Sequence, residues 1–138
     1  MDCVNYTTKI IDFGFAAKSK EKLGIFCGTP AYMSPELCNK EKYMGAATDM
    51  WASGIILYMM LFGDQPFKAN TEADLYRKIQ RGNYKTPTVN SLTDTFEGYP
   101  DIDNASAIKN LLQDILQLEE HKRISASSVL SKYADWLN

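Results

Sequence analysis

Apolar residues are spaced along this chain in patterns that predict helices over most of its length. Met50 to Phe62 reads MWASGIILYMMLF, the longest apolar run in the sequence. It is apolar on every side of a helix rather than along one stripe, so it demands protein cover all round. It also falls short of the ~20 residues of a membrane span. A buried central helix is therefore predicted from about Ala47, with Asp49 in its first turn, to the turn at Gly63-Asp64-Gln65-Pro66. A second helix is predicted from Thr71 to Arg81, with Leu75, Tyr76 and Ile79 on one face, charge on the other and Gly82 just beyond its end. Ile108, Leu111, Leu112, Ile115 and Leu116 follow the i, i+3, i+4, i+7, i+8 spacing of a core-facing helix. Ser34-Pro35-Glu36 looks like a helix start, and Ser125 like the cap of a last short helix holding Val129 and Leu130.

Two stretches break the helical pattern. Thr7 to Ile11 reads as a short strand that ends in Asp12-Phe13-Gly14, with a Lys- and Gly-rich loop following to Cys27. Tyr84 to Asp103 is dense in Thr, Pro, Asn and Asp and reads as an irregular connection. The fold class expected is mainly α: a short N-terminal strand followed by helices around a buried central helix, in one domain without repeats.

Composition removes some partners. With 138 residues, 45% of them hydrophobic, the chain can build one ordinary core. Its net charge of -2 and pI near 5.4 leave no basic surplus, so neither nucleic acid nor a membrane surface is an expected partner. Cys3, Cys27 and Cys38 are odd in number, lack metal-like spacing and follow no signal peptide, which points to reduced thiols in the cytoplasm or nucleus.

Asp12-Phe13-Gly14 is the first chemical signal. A carboxylate at a strand end can hold a hard cation, and glycine lets the backbone turn sharply. Alone, the tripeptide is a weak signal and reads as an ordinary strand-ending turn. Downstream stands Cys27-Gly28-Thr29-Pro30-Ala31-Tyr32-Met33-Ser34-Pro35-Glu36, which resembles the Gly-Thr-x-x-Tyr-x-Ala-Pro-Glu segment of eukaryotic-type serine/threonine protein kinases. Asp49-Met50-Trp51-Ala52-Ser53-Gly54 is similar to the family's Asp-x-Trp-x-x-Gly, and Gly63-Asp64-Gln65-Pro66-Phe67 to its Gly-x-x-Pro-Phe. Leu75 to Ile79 and the closing Arg123-Ile124-Ser125-Ala126 follow in family order, so the resemblance covers nearly the whole chain.

That resemblance implies a partial protein-kinase C-terminal lobe over residues 1–138, with an activation segment at 12–36 and a helical subdomain at 37–138. It implies that Asp12 is the ligand of the Mg²⁺ that bridges ATP phosphates, and that Phe13 packs inward as a switch beside Gly14. Gly28, Thr29, Pro30 and Tyr32 would belong to the loop that receives the substrate residue after the phosphoacceptor. Glu36 and Arg123 would form a buried salt bridge, and Asp49, Trp51 and Gly54 would be structural, with Asp49 holding the catalytic loop from below.

A kinase also needs a Gly-rich loop, a strand lysine and a His-Arg-Asp catalytic loop. None is present in these 138 residues, so no catalytic residue is expected among them. Ala16-Ala17-Lys18 follows Asp-Phe-Gly on a loop and cannot be the strand lysine, and His121 lies too late to open a catalytic loop. Ile25 stands where many kinases carry a phosphorylated hydroxyl, and Met59 where basic-directed kinases often carry Glu. The pattern predicts a truncated kinase domain, inactive alone, whose partners are a protein substrate or the missing N-terminal kinase half. ATP and Mg²⁺ serve the parent family, with binding by this chain alone not expected. The alternative is a non-catalytic docking module that uses Gly28 to Glu36 and the helix at Thr71 to Arg81.

Overall fold

The computed structural model describes residues 8–85 and 104–134, so Cys3, Thr7 and residues 86–103 of the expected connection lie outside the described residues. The helices are α1 (Pro35–Cys38), α2 (Gly45–Phe62), α3 (Glu72–Arg81), α4 (Asn104–Ile115) and α5 (Ala126–Lys132), with 3-10 turns at Pro30–Tyr32 and Glu120–Lys122. The caps explain most of these boundaries. Thr71 Oγ1 accepts from the Asp74 amide at 3.2 Å, and Ser125 Oγ from the Ser128 amide at 3.1 Å, each satisfying an amide that a helix start leaves free. Gly63 and Gly82 close α2 and α3 at φ 64° and 62°, a left-handed conformation that glycine adopts at no steric cost.

Three expectations are adjusted. No strand forms over Thr8–Ile11, because a strand needs a neighbour to pair with and Ile10 and Ile11 are exposed. The β pairing among the described residues is a single antiparallel bridge between Leu23 and Tyr43, with N···O distances of 2.7 and 3.0 Å. Ser34 occupies the N-cap position of α1 but makes no side-chain cap bond; it is fully buried, and its Oγ instead lies 3.4 Å from Thr48 Oγ1. Finally, α2 begins at Gly45 rather than near Ala47, which moves Asp49 out of the first turn. At 18 residues it reaches the lower range of a membrane span by length and composition.

The core sits on one side of α2. Trp51, Ile55 and Tyr58 pack with Phe67, Ile79, Leu112 and Leu116, and the Trp51 and Phe67 rings stack 5.9 Å apart. Leu111 and Ile115 form a second cluster with Tyr133. Of the apolar stripe read here, Leu111, Leu112, Ile115 and Leu116 are buried as the spacing required and Ile108 is partly buried against them. The opposite side of α2 is not covered by the described residues: Asp49 and Ser53 are exposed, Ile56 is 49% exposed and Met60 74%. Those four positions fall at i, i+4, i+7 and i+11, one continuous stripe. The described residues thus do not supply, along this face, the all-round cover that an apolar helix demands.

Where α2 meets α4, Gly54 lets the helices approach. A Cβ at this position would lie 2.5 Å from Ile115 Cγ2 and 2.9 Å from Leu116 Cδ2. Gly54→Ala is expected to destabilise by about 1–3 kcal/mol, because two core side chains must shift. Urea denaturation reads the change, and an unaltered midpoint would show that the two helices do not approach this closely.

Candidate functional site

The loop expected to meet substrate is held from below. Gly28 has φ 124°, a backbone conformation that side-chain-bearing residues rarely adopt, and the space around its Cα is open. Thr29 then leads into the turn Pro30–Tyr32, where the Tyr32 amide donates to Thr29 O at 3.0 Å. Gly28 and Thr29 are exposed, whereas Pro30 is half-buried and Tyr32 packs against the main core. Beneath the loop, the Tyr76 hydroxyl approaches Met33 Sδ at 3.7 Å and donates to the Glu72 carboxylate. That carboxylate bond is the main reason the Tyr76 hydroxyl is pushed up to about 12.

Glu36 and Arg123 form the strongest polar feature. Arg123 Nη1 donates to Glu36 Oε1 at 2.8 Å and Nη2 to Oε2 at 3.1 Å, a bidentate pair with both residues buried. Nη1 also donates to Ala47 O at 2.9 Å, and Nη2 and Nε to Gln117 O at 3.0 and 3.1 Å. All five guanidinium N–H groups are thereby used. The same group lies 5.1 Å from the centre of the Trp51 ring, a cation–π contact. Burial pushes the Glu36 carboxyl up, but the hydrogen bonds and charge of Arg123 outweigh it and hold the group below its ordinary value.

Sequence reasoning missed three members of this region. Thr48 donates to Glu36 Oε1 at 3.1 Å, and Ser34 extends that network. Glu120 accepts from the Met44 amide at the start of α2 and pairs with Lys22 at 3.0 Å, tying the long loop to the C-terminal region. Thr48 adjoins the Asp-x-Trp motif, which is a faint signal; nothing in the sequence marks Ser34 as buried or Glu120 as a cap.

Asp12 and Phe13 stand apart from these residues. Asp12 is exposed at φ 62°, a conformation eased by its own Oδ1 accepting the Gly14 amide at 3.1 Å. Phe13, expected to pack inward, is 69% exposed and belongs to neither core cluster of the described residues, since a ring turns inward only where apolar surface packs against it. A Cβ on Gly14 would lie 3.2 Å from Asp12 Oδ1, so glycine leaves room for that carboxylate. Asp49 is exposed on α2, and its carboxylate takes no hydrogen bond among the described residues. Hard cations take several oxygen ligands, yet the described residues bring no three His, Cys, Asp or Glu side chains together in a way that could hold a metal ion. By themselves they do not fit a nucleotide–magnesium site.

Comparison with known proteins places this geometry. The protein kinase domain model matches residues 2–135. CBL-interacting serine/threonine-protein kinase 20 of Arabidopsis thaliana is 35% identical over 131 residues, covering 91% of this chain and 27% of that protein. Myosin light chain kinase 3 of Pongo abelii is 38% identical over 141 residues, which is 99% of this chain and 16% of the relative. Maternal embryonic leucine zipper kinase of Danio rerio is 44% identical over 87 residues, 60% of this chain and 13% of the relative. The chain thus spans about a quarter or less of the length of these curated relatives.

Arg123→Met strands a buried carboxylate and is expected to cost about 3–5 kcal/mol, while the double change Glu36→Leu with Arg123→Met recovers much of the loss. Denaturant melts of the three proteins check this; a double variant as unstable as the single one would refute it. The pH dependence has a definite sign. Because the folded Glu36 carboxyl titrates below its ordinary 4.5, its contribution is present above that pH and is lost as pH falls through the folded value. The stability gap between wild type and Glu36→Gln should therefore close on acidification below pH 4.5.

Proposed function

Because this chain belongs to the protein kinase domain family, we propose that it supplies the helical, substrate-facing part of a serine/threonine protein kinase and does not transfer phosphate by itself. Kinases of this family use ATP and Mg²⁺. The chain's 138 residues contain no Gly-rich phosphate loop, strand lysine or His-Arg-Asp loop, and Asp12 alone makes no metal site. Loss of a general base typically lowers a rate by 10²–10⁴-fold, and here phosphate positioning is absent as well.

The observation that supports this reading most is the uncovered stripe of α2. Ile56 and Met60 are large apolar side chains exposed to solvent, and Asp49, at the same face, bears a carboxylate without a hydrogen-bond partner among the described residues. A further section of kinase domain seated there would bury the two and hydrogen-bond the third. Each large side chain left in water forfeits about 1.5–3 kcal/mol, against a typical folding stability of about 5–15 kcal/mol. The chain alone is accordingly marginal; a sharp, reversible melt of monomeric protein would count against this.

On the opposite side, Gly28, Thr29, Pro30 and Tyr32 would receive a protein substrate next to its phosphoacceptor, with Thr29 the serine/threonine choice. Glu36, Trp51, Gly54 and Arg123 keep that loop in place. The second reading, a docking module that never transfers phosphate, draws support from α3, whose exposed face carries concentrated charge.

Three measurements test the proposal. Mg²⁺-ATP should leave the melting temperature of the purified chain unchanged, whereas binding at 100 times Kd would add about 2.7 kcal/mol. A clear upward shift would overturn the view that the nucleotide site is incomplete. Co-expression with a polypeptide carrying the Gly-rich loop, strand lysine and His-Arg-Asp loop should yield a complex with ATP-dependent kinase activity. Ile56→Glu with Met60→Glu should abolish that complex in pull-down; assembly that survives the double change would place the contact elsewhere.

A further inference from the structure

The chain is acidic overall, with a net charge of -2, yet one groove reverses that sign. It lies between α3 and the turn that follows α2, has a volume of about 1000 Å³ and is open to solvent. Five cationic side chains line it against two carboxylates. The carboxylates are already engaged: Asp64 pairs with Lys68 and Asp74 with Arg77. Lys78 donates to the Lys68 carbonyl and forms no ion pair among the described residues. Arg81 and Lys85 have no ion-pair partner among the described residues, and both are exposed.

The arrangement is elongated. Arg77, Lys78 and Arg81 stand at i, i+1 and i+4 of α3, so their charges extend over roughly one turn, ~6 Å of helix rise. Lys68 and Lys85 widen the cationic rim beyond the helix. In an extended peptide, side chains on one face recur about every 6.6 Å, which suits several separate carboxylates better than a single compact anion. Tyr58, Pro66, Phe67 and Leu75 also line the groove and give its floor an apolar surface for the rest of such a peptide.

We propose that this groove binds an extended acidic peptide segment of a partner protein, rich in Asp and Glu. Charge complementarity carries the assignment. It goes beyond the kinase reading and holds for either reading above, since it rests on the charge of the groove and not on nucleotide chemistry. Arg81 and Lys85 contribute most, because neither is held in an ion pair among the described residues.

The test is fluorescence anisotropy of the full chain with a labelled peptide of alternating Glu and Gly, beside a Gln-Gly peptide of equal length. The acidic peptide should bind in preference to the neutral one. Its affinity should fall as salt rises from about 0.01 M to about 0.15 M, which shortens the screening length from ~30 to ~8 Å. Arg81→Glu with Lys85→Glu should weaken binding at least about tenfold, with circular dichroism and melting unchanged. Should that variant misfold, Lys78→Gln with Arg81→Gln serves in its place, with weaker binding again expected. Equal affinity for the neutral peptide, or an affinity that charge reversal leaves unaltered, would overturn the proposal. So would self-association by sedimentation that charge reversal abolishes, which would make a second copy the occupant. Tighter binding to an oligonucleotide or anionic vesicles through the same residues would overturn it as well.

Discussion

The guanidinium of Arg123 is the group on which the rest of the described structure converges. It lies buried among three segments distant in sequence: α1 through Glu36, the start of α2 through Ala47 O, and the turn after α4 through Gln117 O. A buried cation is costly to desolvate, and the cost is offset here because every N–H has an acceptor and the opposite charge is bidentate. Replacing such a pair by well-packed apolar residues is often neutral for stability. Its consequence is geometric: the planar fork accepts one arrangement of partners, which fixes how the loop before α1 sits on the helical body. The Trp51 ring beneath the guanidinium carries the constraint into the core, where it stacks on Phe67.

Helix α2 divides the molecule's surroundings into two unlike halves. Trp51, Ile55 and Tyr58 face packed protein, and Gly54 permits close approach by α4. Ile56 and Met60 face water. Uniform apolarity along a helix is a demand for two coats, and the described residues provide one. A similar asymmetry governs thiol chemistry. Cys38, half-buried at the end of α1, has its thiol pushed up to about 11, first by burial and then by the nearby Glu36 charge, which keeps its thiolate fraction small at neutral pH.

Much of the helical framework was legible because its signals are local. Thr71, Ser125, Gly63 and Gly82 mark helix ends through bonds and dihedrals confined to a few residues. The α4 stripe buried as its spacing implied, and the ordered motifs singled out Glu36 and Arg123 across 87 residues of separation. Thr8–Ile11 misled for the complementary reason: β-forming residues make a strand when another strand lies alongside. Phe13 misled likewise, since an aromatic ring turns inward where something lies there to bury it.

Sequence by itself determined the order and approximate ends of the helices, the family, and the identity of the buried ion pair. These depend on periodicity, capping chemistry and ordered motifs, all carried by the chain as written. Tertiary structure decided which side of α2 is covered, that Ser34 and Thr48 join Glu36 rather than cap or face solvent, and that five cations of an acidic chain gather along one groove. Such outcomes depend on what stands opposite each residue in space, and no local pattern encodes that.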